Sequence, residues 1–299
     1  MRELAVEILV VLALITSAFF AWSMGHHYAG AVVGPAVGGG AITIKKGLLV
    51  AGALVLIGSL VSPVVKTYVQ LTNLRPAGHY SALLSAAATT TLATYAKIPT
   101  STIQLYTASL IGAALTVGAA VNLQLLAVLV AAWAAAPLTA YALAPLVSKL
   151  TPSNTKLLLR ISMFLSALVL GLNDVSNAAT SLVGVVIDFI TAKGLADFFM
   201  SIGLLTWGHR LVETIGGELG NLSPRSYLAA HVTKIATLAI FNSLGLNASM
   251  NQTLIGAMAK LGAERRALKR IFIGWLTSPL LGAAFSALVT FAMATWRLG

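Results

Sequence analysis

From Ile98 to Ser148 the chain runs 51 residues without an aspartate, glutamate, lysine or arginine. A hydrocarbon core about 30 Å thick is crossed by about 20 apolar residues in a helix, so this run suffices for two crossings. Ile8 to Ile44, Gly47 to Val65 and Ile271 to Trp296 are equally free of charge. Within lipid, backbone groups must be satisfied internally, which leaves helices or closed barrels. A barrel would alternate apolar and polar residues in segments of about ten, and no such alternation is present. The fold class expected is an all-α polytopic membrane protein with about 10–12 apolar segments, multi-pass in the cell membrane. With 58% of its residues hydrophobic and 9% charged, the chain lies far from the composition of a soluble domain. The stretch "MRELAVEILVVLALITSAFFAWSM" reads as a retained first helix rather than a signal peptide, because further spans follow.

The net charge of +11 comes from 19 basic and 8 acidic residues. The basic residues cluster in short segments: Lys45–Lys46, Lys149/Lys156/Arg160, and Arg265–Arg266/Lys269–Arg270. That distribution suits anionic headgroups and membrane orientation, with these segments expected at the cytoplasmic face, and not nucleic acid. With no cysteine, disulfides and thiolate metal sites are excluded. No nucleotide loop, His-Glu-x-x-His or nucleophile elbow occurs, so the chain is not expected to be an enzyme and needs no cofactor.

Four landmarks recur in order, 142 to 148 residues apart. "GHHYAGAVVGPAVG" (25–38) matches "GLNDVSNAATSLVG" (171–184), and "SPVVKT" (62–67) matches "RLVETIG" (210–216). "IPTSTIQ" (98–104) matches "LNASMNQ" (246–252), and "WAAAPL" (133–138) matches "WLTSPL" (275–280). The division expected is a first membrane repeat at 1–147, a basic linker at 148–160 and a second repeat at 161–299. Two membrane repeats with broken helices at matched places suggest a transporter with its substrate at mid-membrane. "GPAVGGGAIT" (34–43) is too rich in glycine for a plain helix. "KIPTST" reads as a helix start, and Asn247 or Ser249 offers an N-cap. Helix starts of this kind turn backbone N–H groups toward an anion.

These motifs resemble the inorganic phosphate transporter (PiT) family. "GLNDVSNA" resembles its Gly-Ala-Asn-Asp-Val-Ala-Asn-Ala signature, which the family carries once per half. "IPTSTIQ" is similar to its Pro-x-Ser-Thr-Thr-His/Gln element, and "GHRLVETIGGELGNLSPRSYLAA" (208–230) resembles the segment between the second signature and second Ser/Thr element. The resemblance spans roughly residues 15 to 290. It implies cation-coupled uptake of inorganic phosphate, an inverted repeat with re-entrant hairpins, and a homodimer as a common assembly. Carried over by motif, it implies cation binding by Asn173, Asp174 and Asn177. Asp174 would hold Na⁺ if sodium is the coupling ion. It implies anion binding by Ser101, Thr102 and Gln104 from the first element and by Ser249, Asn251 and Gln252 from the second.

The first signature departs from the family pattern. Its Asn-Asp-x-x-Asn positions hold His27, Tyr28 and Ala31, so one carboxylate and both amides are missing and fewer coupled ions are expected. His26 and His27 are candidates for a proton carrier or an anion contact, against the plainer reading of histidines in ordinary hydrogen bonds. An intramembrane carboxylate such as Asp174 costs about 2.5 kcal/mol or more against lipid, so it needs a cation, a proton or a cap. The function expected is secondary active transport of phosphate coupled to Na⁺ or H⁺. The alternatives are a sulfate permease of the same fold and a passive anion channel or uniporter. Arg210 and Glu213, three apart, are placed to pair on one helix, and Lys66 is a second candidate partner for Glu213. Asp188, Asp197 and Glu218 are expected in loops, and the five tryptophans, Trp22, Trp133, Trp207, Trp275 and Trp296, at membrane interfaces.

Overall fold

The computed structural model describes residues 2–60, 70–179, 188–220 and 222–295. Lys66, the matched stretch 62–67, Trp296 and the end of the second signature lie outside the described residues. Among the described residues the protein is helical, and the one strand-like feature is a single bridge between Thr72 and Val121. In chain order the helices are α1 (Arg2–Gly38), α2 (Ile44–Ser59), α3 (Pro76–Tyr95), α4 (Thr102–Val117), α5 (Leu123–Leu150), α6 (Lys156–Ala179), α7 (Phe189–Trp207), the short α8 (His209–Glu213) continued by a π turn (Thr214–Glu218), α9 (Pro224–Ser243), α10 (Met250–Lys260) and α11 (Arg265–Thr295). Among the described residues, four helical stretches are long and apolar enough to cross a membrane: Glu7–Gly38, Leu123–Leu150, Lys156–Ala179 and Arg265–Thr295.

The chain breaks where its sequence supplies the means. α1 ends at Gly38, and Gly40 adopts a φ of 68°, open to glycine at no steric cost. α3 and α9 are each 20 residues long and each begins with proline at its first turn, where the missing N–H is no loss. Each is followed by a tight loop and a shorter helix capped by a serine: Ser101 accepts from the Gln104 amide, and Ser249 accepts from the Gln252 amide. The basic segment 148–160 is helical at both ends, leaving 151–155 between α5 and α6. Asp188 caps α7, accepting from the amides of Ile190 and Thr191 and from the Thr191 hydroxyl. Those bonds, the hydroxyl's first, hold its carboxyl below the usual carboxylate range.

Small residues set the helix crossings. A Cβ on Gly25 of α1 would collide with the Met200 carbonyl of α7, and one on Gly203 with the Trp22 carbonyl. The same arrangement joins α6 to α2: Gly171 abuts the Val55 carbonyl and Gly58 the Leu168 carbonyl. Each residue in the second crossing stands 145 or 146 places from its counterpart in the first. Close backbone approach through small residues is the usual means of packing helices where lipid supplies no hydrophobic drive. α1 and α6 meet in opposite directions, with Gly39 against Leu159 at one end and Tyr28 against Asp174 further along.

Three sequence expectations are corrected. Asp197 is not in a loop but on α7, 4% exposed, where the Ser59 hydroxyl of α2 donates to it. The α2–α7 packing encloses that position, so a hydroxyl and the nearby Lys193 take the place of water. Arg210 does not pair with Glu213. Its guanidinium lies 4.9 Å from the Tyr95 ring and 5.2 Å from the Trp207 ring, a cation–π setting. Glu213 instead sits 3.7 Å from Lys97, which also bonds Glu218 at 2.5 Å. Trp275 is more than an interface anchor, because its indole donates to the Pro99 carbonyl at 2.8 Å and fixes the loop between α3 and α4.

Candidate functional site

Asp174 and Asn177 lie three apart on α6, so they share a helix face, and both are buried at 2% and 1% exposure. Asn173 is half-buried beside them. One carboxylate oxygen of Asp174, and both the oxygen and nitrogen of the Asn177 amide, have no hydrogen-bond partner among the described residues. Buried polar atoms are nearly always paired, so a cluster of unpaired ones marks a place for a ligand. A carboxylate oxygen with a neutral amide oxygen is a donor set that suits a hard monovalent cation. Among the described residues no three His, Cys, Asp or Glu side chains gather in a way that would hold a transition metal.

The other oxygen side of Asp174 meets Tyr28, whose hydroxyl hydrogen-bonds it. The same hydroxyl is 2.6 Å from Thr102 Oγ1. Tyr28 therefore links the carboxylate of the second signature to the first turn of α4. In numbering, Tyr28 occupies in the first signature the place that Asp174 holds in the second, so the matched residues of the two halves face one another. The sequence marked Tyr28 only as a departure. Its role follows from α1 and α6 crossing at that residue.

The two Ser/Thr elements also converge. Gln104 and Gln252 exchange two amide hydrogen bonds, each 2.9 Å. Asn251 donates to the Thr100 carbonyl at 2.9 Å, and its own oxygen has no donor among the described residues. The starts of α4 and α10 thus come together, with Ser101, Thr102, Ser249 and Asn251 all buried there. Helix N-termini present free N–H groups and a positive dipole end, which together with the serine caps suit an oxyanion.

The glutamines are placed differently from the other anion candidates. They help line an apolar cleft of about 1160 Å³ walled by Trp133 and Trp275, with Lys260 and Arg265 also in its lining; neither Ser101, Ser249 nor Asp174 lines it. The amide pair therefore stands between this cleft and the capped helix starts.

His26 and His27 are fully buried. The Thr100 amide donates to His27 Nε2 at 3.0 Å, so the ring proton belongs on Nδ1, which donates to Thr94 Oγ1 at 2.7 Å. His26 Nδ1 lies 3.0 Å from the same hydroxyl. His27 thereby pins the loop at Thr100 to α1, beside the anion candidates.

Sequence reasoning passed over Lys234. It sits mid-way along α9, fully buried, with Nζ 2.7 Å from the Ala31 carbonyl and 2.5 Å from Ser166 Oγ. A lone lysine in an apolar helix was the available signal.

A model of the phosphate transporter family matches residues 24–153 and 147–270. A protein of Methanocaldococcus jannaschii named "Putative phosphate permease" is 26% identical over 291 residues, covering 93% of this chain and 96% of that protein. "Sodium-dependent phosphate transporter 1" of Xenopus tropicalis is 27% identical over 146 residues, 41% of this chain and 21% of that protein. A solved structure titled "The sodium-dependent phosphate transporter" superposes with a TM-score of 0.79 at 19% identity, covering 96% of this chain and 99% of that one; this likeness concerns the fold.

Proposed function

Since the chain belongs to the phosphate transporter family and is a multi-pass membrane protein, we propose that it carries inorganic phosphate across the membrane, driven by a cation bound at Asp174. The observation that carries this reading is the Tyr28 hydroxyl, which touches both Asp174 and Thr102. A cation at Asp174 and an anion at the start of α4 would then share one intervening hydrogen-bonding group. Asn177 and Asn173 supply neutral oxygens to the cation. Ser101, Thr102, Ser249 and Asn251, with the N–H groups of α4 and α10, hold the anion.

Sodium is the coupling ion favoured, because relatives are named as sodium-dependent and the orphaned oxygens of Asp174 and Asn177 suit it. Phosphate is favoured over sulfate by a chemical argument. A monoprotonated phosphate donates a hydrogen bond and sulfate does not, and the buried Asn251 oxygen is an acceptor with no donor among the described residues. The two halves act as an inverted repeat, a reading supported by the doubled glycine crossings and by the opposed course of α1 and α6. Rocking of one half against the other, with the Gln104–Gln252 pair closing the side toward the cleft, gives alternating access. Assembly as a homodimer is part of the same proposal.

Uptake of radiolabelled phosphate and sulfate into proteoliposomes, under imposed Na⁺ or pH gradients, tests this. Phosphate uptake by the parent protein should follow the Na⁺ gradient, and Asp174→Asn should lose that dependence. Gradient-driven uptake persisting in Asp174→Asn would remove Asp174 from coupling, and sulfate uptake in place of phosphate would reassign the anion.

A further inference from the structure

The cleft between α5 and α11 follows from how each helix is anchored. α5 is drawn onto α10, where Gly256 abuts the Pro137 carbonyl, and α11 onto α4, where Gly112 abuts the Ala283 carbonyl. Each long helix is thus held to a shorter one behind it, and about 1160 Å³ stays open between the two. The outer rim is formed by Leu138 of α5 and Leu276 of α11, both exposed. Both helices are long and apolar enough to cross a membrane, so exposed leucines on them face acyl chains and the cleft opens toward lipid.

The walls of the cleft are alike and its ends are not. Trp133 and Trp275 are matched residues of the two repeats, as are Pro137 and Pro279. The starts of the wall helices differ: α5 begins Leu-Gln-Leu-Leu and α11 begins Arg-Arg-Ala-Leu. Lys260 Nζ lies 4.9 Å from the centre of the Tyr141 ring, and Arg265 opens α11 just beyond it. Both line the cleft, at the end where α10 passes into α11. Lys269, one turn further on, borders a shallower groove beside it with Phe272 and Leu276. Among the described residues none of these three cations is ion-paired, and the nearby carboxylate of Glu264 does not line the cleft. The opposite end, at Leu126 and Pro279, carries no charge. From Arg265 to Pro279 the lining follows α11 for about 21 Å, which exceeds one leaflet's share of a hydrocarbon core about 30 Å thick.

A cationic mouth on a long apolar slot between membrane helices has the polarity of an amphiphile. We propose that the cleft binds an anionic phospholipid, with its headgroup phosphate between Lys260 and Arg265 and an acyl chain along Trp133 and Trp275. Basic pockets between membrane helices select anionic headgroups in this way. A zwitterionic lipid fills the same apolar volume but brings its own ammonium beside the phosphate, so unpaired cations at the mouth favour the anionic one. Inorganic phosphate would meet the same cations but leave the apolar walls bare. The bound chain covers the Gln104–Gln252 pair, which also lines the cleft.

The test uses the full chain in phosphatidylcholine vesicles, with either phosphatidylglycerol or phosphatidylcholine brominated on its acyl chains. Bromine quenches tryptophan fluorescence on contact, and the readout is binding, independent of phosphate transport. Brominated phosphatidylglycerol should quench the parent protein at a mole fraction at least about tenfold lower than brominated phosphatidylcholine, because each basic residue near the surface favours anionic lipid. Trp133→Phe should remove part of that quenching. Lys260→Gln combined with Arg265→Gln, both at exposed positions, should erase the preference. Lys45→Gln combined with Lys46→Gln, an exposed pair that does not line the cleft, should leave it unchanged. Equal quenching by the two lipids, an equal loss in both paired variants, or displacement of brominated phosphatidylglycerol by inorganic phosphate would overturn the proposal. Quenching that appears only after Leu276→Asn breaks a dimer into monomers would also overturn it, since a second copy of the chain would then cover the cleft.

Discussion

Removing one oxygen atom, in Tyr28→Phe, should uncouple the two substrates while leaving both binding sites otherwise intact. The Tyr28 hydroxyl is buried, bonds the Asp174 carboxylate, and lies 2.6 Å from Thr102 Oγ1. The phenyl ring of phenylalanine fills the same volume, so no cavity opens and α1 keeps its packing against α6. What is lost is a hydrogen bond to a charged group, worth about 1.5–3 kcal/mol. If that bond is how cation occupancy at Asp174 is felt at Thr102, its free energy is the coupling free energy. At about 1.4 kcal/mol per decade, the factor by which Na⁺ tightens phosphate binding should fall roughly tenfold to 150-fold. The assay is phosphate affinity at low and at saturating Na⁺, with the reciprocal experiment of Na⁺ affinity at low and saturating phosphate. Linkage demands that both ratios change equally. An unchanged ratio, with Tyr28→Phe correctly folded, would refute the hydroxyl as the link. A loss of phosphate affinity equal at both Na⁺ levels would also refute it, because Tyr28 would then be only an anion contact.

Two further outcomes follow from the packing. Gln104→Leu or Gln252→Leu alone strands the partner amide, at a cost of about 1–3 kcal/mol, whereas the double substitution should destabilise by less than the two summed; thermal unfolding of the four proteins in a double-mutant cycle measures this, and additivity would show that the two amides do not depend on each other. Gly203→Ala places a methyl against the Trp22 carbonyl, and because backbone cannot give way as a side chain can, we expect about 1–3 kcal/mol of destabilisation, read as a lowered melting temperature in detergent; an unshifted melt would mean that α1 and α7 do not approach as closely as described.

Much of this was open to a reader of the residues. Long uncharged runs demand helices, since a backbone in lipid has no water to bond. The helix starts at Ser101 and Ser249 follow from local chemistry, a hydroxyl three residues before an amide that lacks a partner; the sequence marked a helix start in "KIPTST" and offered Asn247 or Ser249 as the second cap, and the structure uses Ser101 and Ser249. Asp174 announced itself because an isolated carboxylate in an apolar run requires a reason. Its neighbour Asn177 came from the signature that the segment resembles. What local sequence cannot hold is the identity of a neighbour on another helix. Asp197 looked like a loop residue until α2 was found against it. Glu213 met Lys97 rather than Arg210, because the loop between α3 and α4 folds back toward the π turn. The pairing of Gln104 with Gln252, 148 residues away, depends on two hairpins meeting.

Sequence by itself determined the helical membrane fold, the positions of the helix breaks and the asymmetry between the two signatures, because each rests on solvation or hydrogen bonding within a few residues. Only the tertiary structure decided that Tyr28 touches Asp174 and that Lys234 reaches Ala31. Those contacts depend on which faces of α1, α6 and α9 are turned together, and that choice is made by close backbone approach at glycines and by the pairing of buried polar groups across helices.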